Sequence, residues 1–79
     1  MPKHRALALL AGCEDGINEA MLERHGFTPV LLDHLLTAGL ARFERRRYGA
    51  RGNPRLDLTV RRFYITPAGS TALTQWSQQ

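Results

Sequence analysis

The 79-residue chain has one cysteine, Cys13, and so cannot close an internal disulfide. Its fold must rest on packing alone, as suits a reducing cytosol. No stretch approaches the roughly 20 apolar residues a membrane-spanning helix needs, which argues against an embedded protein. There is no Cys-x-x-Cys and no close histidine pair, so the usual zinc-chelating spacing is missing and no metal or cofactor is expected. Cys13, His25, Asp33 and His34 include the residue types of a nucleophilic site, but no local spacing links them. An enzyme is not expected, since so short a chain has little room for a cleft that excludes water. Internal repeats and low-complexity segments are also lacking, and the length sets a ceiling of one domain, residues 1–79.

Hydrophobic residues make up 43% of the chain and charged residues 23%, ordinary values for a globular protein. The net charge of +4 matters less than its placement. Residues 1–41 carry Lys3, Arg5 and Arg24 against Glu14, Asp15, Glu19, Glu23 and Asp33, a net of −2. Residues 42–79 carry Arg42, Arg45, Arg46, Arg47, Arg51, Arg55, Arg61 and Arg62 against Glu44 and Asp57, a net of +6. A positive field confined to one segment points to a polyanionic partner. Near the start, Lys3-His4-Arg5, an apolar run and Leu10-Ala11-Gly12-Cys13 resemble a bacterial lipobox. A buried thiol after a core helix accounts for Cys13 better, because cleavage there would delete a helix that the remaining chain needs.

The spacing of Leu7, Leu10 and Ala11 predicts a first helix over 3–11, ended by Gly12. Asn18 is a suitable N-cap for a second helix reaching His25, with Ile17 stapled on Leu22; Gly26 closes it and Phe27 folds back. Thr28 then caps a third helix with Pro29 at its first position. Leu31, Leu32, Leu35 and Leu36 share its inner side, leaving Pro29, Val30, Asp33, His34 and Thr37 outside. Gly39 stops it and Leu40 clasps the end.

From Ala41 the pattern alternates, with Phe43, Arg45 and Arg47 on one face and Arg42, Glu44, Arg46 and Tyr48 on the other. Turn formers crowd Gly49 to Pro54, and alternation resumes at Leu56, Leu58 and Val60. The apolar phase shifts before Phe63, which predicts a bulge near Arg61 or Arg62. Thr66 and Pro67 then open a last helix with Ala68, Ala72, Leu73 and Trp76 on its apolar side.

Three local patterns, His25-Gly26-Phe27-Thr28, Leu36-Thr37-Ala38-Gly39-Leu40-Ala41 and Ile65-Thr66-Pro67-Ala68-Gly69, occur in this order. Over nearly its whole length the chain resembles the winged helix-turn-helix domains of bacterial regulators of the MarR and PadR kind. The resemblance implies an α+β fold of three helices, a two-stranded β wing and a C-terminal helix. The helix-turn-helix would occupy about 18–38, the wing about 41–65 and the last helix about 66–77. It further implies a cytoplasmic transcriptional regulator holding double-stranded DNA, with the third helix in the major groove and the wing beside it. The candidate contacts are Thr28, His34 and Thr37 on that helix, and Arg45, Arg46, Arg47, Arg51, Arg55, Arg61 and Arg62 on the wing.

Guanidinium groups alternating along a ribbon can track phosphates on both of its faces. The bland alternative is a charged edge that guards against strand aggregation. Tyr48, Phe63 and Tyr64 are candidate stacking platforms for bases, although core packing under the wing suits Phe63 better. The chain departs from its relatives in offering no Arg, Lys, Asn or Gln on the outer side of the third helix for bidentate base contacts. It also lacks the added helices by which full-length relatives dimerise and bind small molecules. An alternative is therefore a protein interaction or homodimerisation module that uses Val30 and its neighbours, without DNA.

Overall fold

The computed structural model describes residues 2–50 and 53–77, with side chains described outside 48–58 and 77. In chain order the elements are α1 (Pro2–Ala11), β1 (Ile17–Asn18), α2 (Glu19–Arg24), α3 (Pro29–Thr37), β2 (Ala41–Ala50), β3 (Asn53–Ile65) and α4 (Pro67–Ser77). The architecture is α+β: four helices with an antiparallel sheet in the order β1-β3-β2.

Two tight turns define the path between the helices and the sheet. After α2, Gly26 takes φ 89°, and the amides of Gly26 and Phe27 donate to the carbonyls of Glu23 and Leu22 at 2.9 and 3.1 Å. After α3, Gly39 takes φ 74°, and Gly39 and Leu40 donate to Leu36 and Leu35 at 3.1 and 3.0 Å. Both ends are Schellman motifs, in which a left-handed residue lets two amides satisfy otherwise orphaned helix carbonyls. Thr28 begins α3 as expected, its Oγ1 accepting from the Leu31 amide at 3.2 Å.

The core is assembled from Ala6, Leu7 and Leu10 of α1, Leu22 of α2, Phe27, Leu32 and Leu35 of α3, and Ile17, Ala41 and Phe63 of the sheet. Leu31 and Leu36 are half-buried at its margin, so the leucine side of α3 faces as its spacing predicts. Two inward positions differ from expectation. Ala6, and not Ala11, completes the buried stripe of α1; in α4 it is Gly69, and not Ala68, that is buried. Gly69 is selected by contact, because the Leu40 carbonyl lies where its side chain would begin.

The sheet corrects two further expectations. A third strand is present: Ile17 and Asn18 pair with Phe63 and Arg62, so the ribbon is stitched at its base to the segment before α2. The bulge expected near Arg61 or Arg62 is not there. Pairing runs without a break from Ala41↔Ile65 to Tyr48↔Leu58, and the irregularity falls between Tyr48 and Ala50. The shift of apolar phase has another cause, since Arg61 occupies an inward position in line with Phe63 and Ile65. Its guanidinium sits 5.2 Å from the ring centres of both Phe43 and Phe63.

Candidate nucleic-acid interface

In an isolated ribbon successive side chains point to opposite faces, so a run of exposed neighbours marks where both faces have left the body. Glu44, Arg45, Arg46 and Arg47 form such a run on β2, opposite exposed Thr59 and half-buried Val60 on β3. The molecule is correspondingly elongated, 52 × 21 × 20 Å.

The two faces of the ribbon treat their arginines differently. On the outer face Arg42 lies over the Tyr64 ring at 4.3 Å and pairs with Glu44 at 3.0 Å. Arg46 reaches the other Glu44 oxygen at 3.4 Å and donates to the Tyr64 hydroxyl at 3.0 Å. The hydrogen bond from Arg42 holds the Glu44 carboxyl below its ordinary value of 4.5, aided by the charges of Arg42 and Arg46. These groups, with Glu14, Asp15 and Arg62, line an open hollow of about 490 Å³. Its three arginines face three acids, so the hollow has no net charge to attract a phosphate.

On the inner face Arg45 stands opposite Arg61 and Arg47 opposite Thr59. Arg45 is exposed, whereas Arg61 turns to the body and pairs with Glu19 at the first turn of α2. Its neighbour Arg62 donates to the Asp15 carbonyl through Nε and to Asn18 Oδ1 through Nη1, the latter at 3.2 Å. Asn18 sits at the N-cap position of α2 but makes no side-chain cap bond, its oxygen being taken by Arg62.

Of the residues selected from the sequence, the structure therefore presents Arg45 and Arg47 outward on the ribbon, ties the exposed Arg46 to Glu44 and Tyr64, and engages Arg61 and Arg62 at the ribbon's base. Arg51 lies outside the described residues, as does the side chain of Arg55. Thr28, His34 and Thr37 are exposed on α3, together with Pro29, Asp33 and Val30, which is 64% exposed. A shallow, mainly apolar hollow beside them is lined by Pro2, Gly26, Thr28, Val30, Leu31 and His34.

Sequence reasoning missed the acids and carbonyls that absorb Arg61 and Arg62, because the partners are 42 to 47 residues apart in the chain. It also passed over Arg5, exposed at the turn before α3 with its guanidinium 6.0 Å from the Phe27 ring centre. The signal available for Arg5 was its place in the basic Lys3-His4-Arg5 triplet.

Among the described residues no helix is long and apolar enough to cross a membrane, and no three His, Cys, Asp or Glu residues gather where they could hold a metal ion. No protein-family model, curated protein or solved structure matches the chain.

Proposed function

We propose that this chain is a winged helix-turn-helix domain that binds double-stranded DNA and serves as a transcriptional regulator, with α3 offered to the major groove and the β2–β3 ribbon to the flanking backbone. The observation that carries this reading is the run Arg45–Arg47 on a ribbon exposed on both faces, directly after the turn that ends α3. Affinity then comes mainly from phosphates. Arg45 and Arg47 supply it on the ribbon, joined by the charges of Arg51 and Arg55, whereas Arg46 is held by Glu44 and the Tyr64 hydroxyl. Arg61 and Arg62 leave the list of phosphate contacts, since their guanidinium groups serve the body.

On α3 the exposed set contains no side chain suited to bidentate readout of guanine or adenine, so sequence preference is weak. Fluorescence anisotropy of a labelled duplex at several salt concentrations tests the proposal. Four phosphate contacts, from Arg45, Arg47, Arg51 and Arg55, predict a slope of log K against log salt of about −3.6, near −0.9 per contact. Absence of binding at low salt would refute it.

The second reading, a homodimer or other protein contact through α3, is favoured by the exposure of Val30 beside an apolar hollow. Sedimentation across a concentration series separates the two. A dimer that Val30→Glu dissociates supports the second reading, and a monomer at all concentrations removes the homodimer.

A further inference from the structure

The base of the ribbon is held by the segment leading into the helix-turn-helix pair. Ile17 and Asn18 pair with Phe63 and Arg62 through the backbone. On the outer face Arg62 is tied to the Asp15 carbonyl and the Asn18 side chain. On the inner face Arg61 is tied to Glu19, which opens α2, and lies over the adjacent rings of Phe43 and Phe63. Arg61 is also the last body-facing residue before the exposed stretch, and its cross-strand neighbour is the exposed Arg45.

Two like charges directly opposite each other destabilise a strand pair. With Glu19 in place, Arg61 is drawn toward α2 and neutralised, and the repulsion is relieved. Arg61 and Glu19 have side chains only 30% and 28% exposed, so a cation left there without its partner would move outward to regain water. The ring contacts and the base of the ribbon would then move with it.

We infer that Glu19 is a positioning residue: through Arg61 it sets the angle at which the β2–β3 ribbon leaves α2 and α3, and thereby whether ribbon and helix reach one duplex together. The inference rests on the DNA-binding reading for its functional consequence, but the geometry it asserts can be measured without DNA. It predicts a sign opposite to simple electrostatics. Removing an acid from a DNA-binding protein should raise affinity, whereas loss of positioning uncouples two contact surfaces that act as one.

The experiment compares Glu19→Gln with Glu23→Gln, an equal charge change at an exposed site on the same helix. Far-ultraviolet circular dichroism first establishes that both variants are folded at the assay temperature. Glu19→Gln should bind duplex DNA about tenfold more weakly than Glu23→Gln at the same salt concentration, with the salt slope unchanged because no phosphate-contacting arginine has been removed. Backbone residual dipolar couplings of residues 43–47 and 59–63, fitted against those of α3, should show the ribbon reoriented or averaged in Glu19→Gln alone. Equal or tighter binding by Glu19→Gln overturns the inference, as do unchanged couplings. If neither the parent protein nor Glu23→Gln binds DNA, the functional proposal fails by itself and the couplings still decide the role of Glu19.

Discussion

Replacing Gly69 with alanine sets a known helix-stabilising effect against a steric one, and the structure says which should win. Alanine is better than glycine inside a helix by about 1 kcal/mol. A Cβ on Gly69, however, would lie 2.0 Å from the Leu40 carbonyl oxygen, 3.0 Å from its carbon and 2.8 Å from Ile65 Cγ1. Relieving the carbonyl contact requires α4 and the turn after α3 to separate by about 1 Å, a backbone shift of the kind that costs about 1–3 kcal/mol or more.

The same separation strains the junction. The Leu40 carbonyl accepts from the Thr66 amide at 3.2 Å, and Thr66 Oγ1 donates to the Gly39 carbonyl at 2.6 Å. Each such bond contributes about 1 kcal/mol. Subtracting the propensity gain leaves a destabilisation of about 3 kcal/mol, which lowers the melting temperature of a domain this size by about 12–24 °C.

Gly12→Ala is the control, because its Cβ would meet only the Leu9 and Ala8 carbonyl oxygens at 3.6 and 3.8 Å. That variant should melt at or a few degrees above the parent. Thermal unfolding followed by circular dichroism reads both. A Gly69→Ala protein as stable as Gly12→Ala would refute the packing of α4 against the α3–β2 turn.

Arg45→Ala should weaken duplex binding and reduce the magnitude of the salt slope by about 1, as one phosphate contact is lost; an unchanged slope in the same anisotropy titration would remove Arg45 from the interface. Thr66→Ala deletes both the N-cap bond to the Gly69 amide at 3.0 Å and the bond to Gly39. It should cost about 1–2 kcal/mol in urea unfolding, and no loss would argue against this cap. The Glu44 carboxyl, depressed in the folded state by Arg42, contributes stability above pH 4.5 that is lost as pH falls through the lower folded value. In Arg42→Gln its titration, followed by carboxyl carbon chemical shift, should move up toward 4.5; an unmoved midpoint would show that Arg42 is not the cause.

Helix ends were legible because their chemistry is local. Gly26 and Gly39 supply the left-handed residues, and Thr28-Pro29 and Thr66-Pro67 the starts, all acting over a few residues. The leucine side of α3 and the alternation through β2 followed from periodicity alone. The charge split was legible by counting, and with it the ribbon as the cationic part of the candidate interface.

Which arginines face outward was decided by tertiary structure. Arg45 and Arg61 are both arginines in strand positions, yet one is exposed and the other is held between two phenyl rings and the Glu19 carboxylate. The third strand and the missing bulge have the same origin. Ile17 and Asn18 are too few to register as a strand until Phe63 and Arg62 lie beside them. The phase shift before Phe63 resembled a bulge only because an inward arginine cannot be distinguished from a break without its distant partner in view. Periodicity and caps are properties of neighbours in the chain, whereas the choice between a solvated and a paired charge depends on groups some forty residues away, which only folding brings within reach.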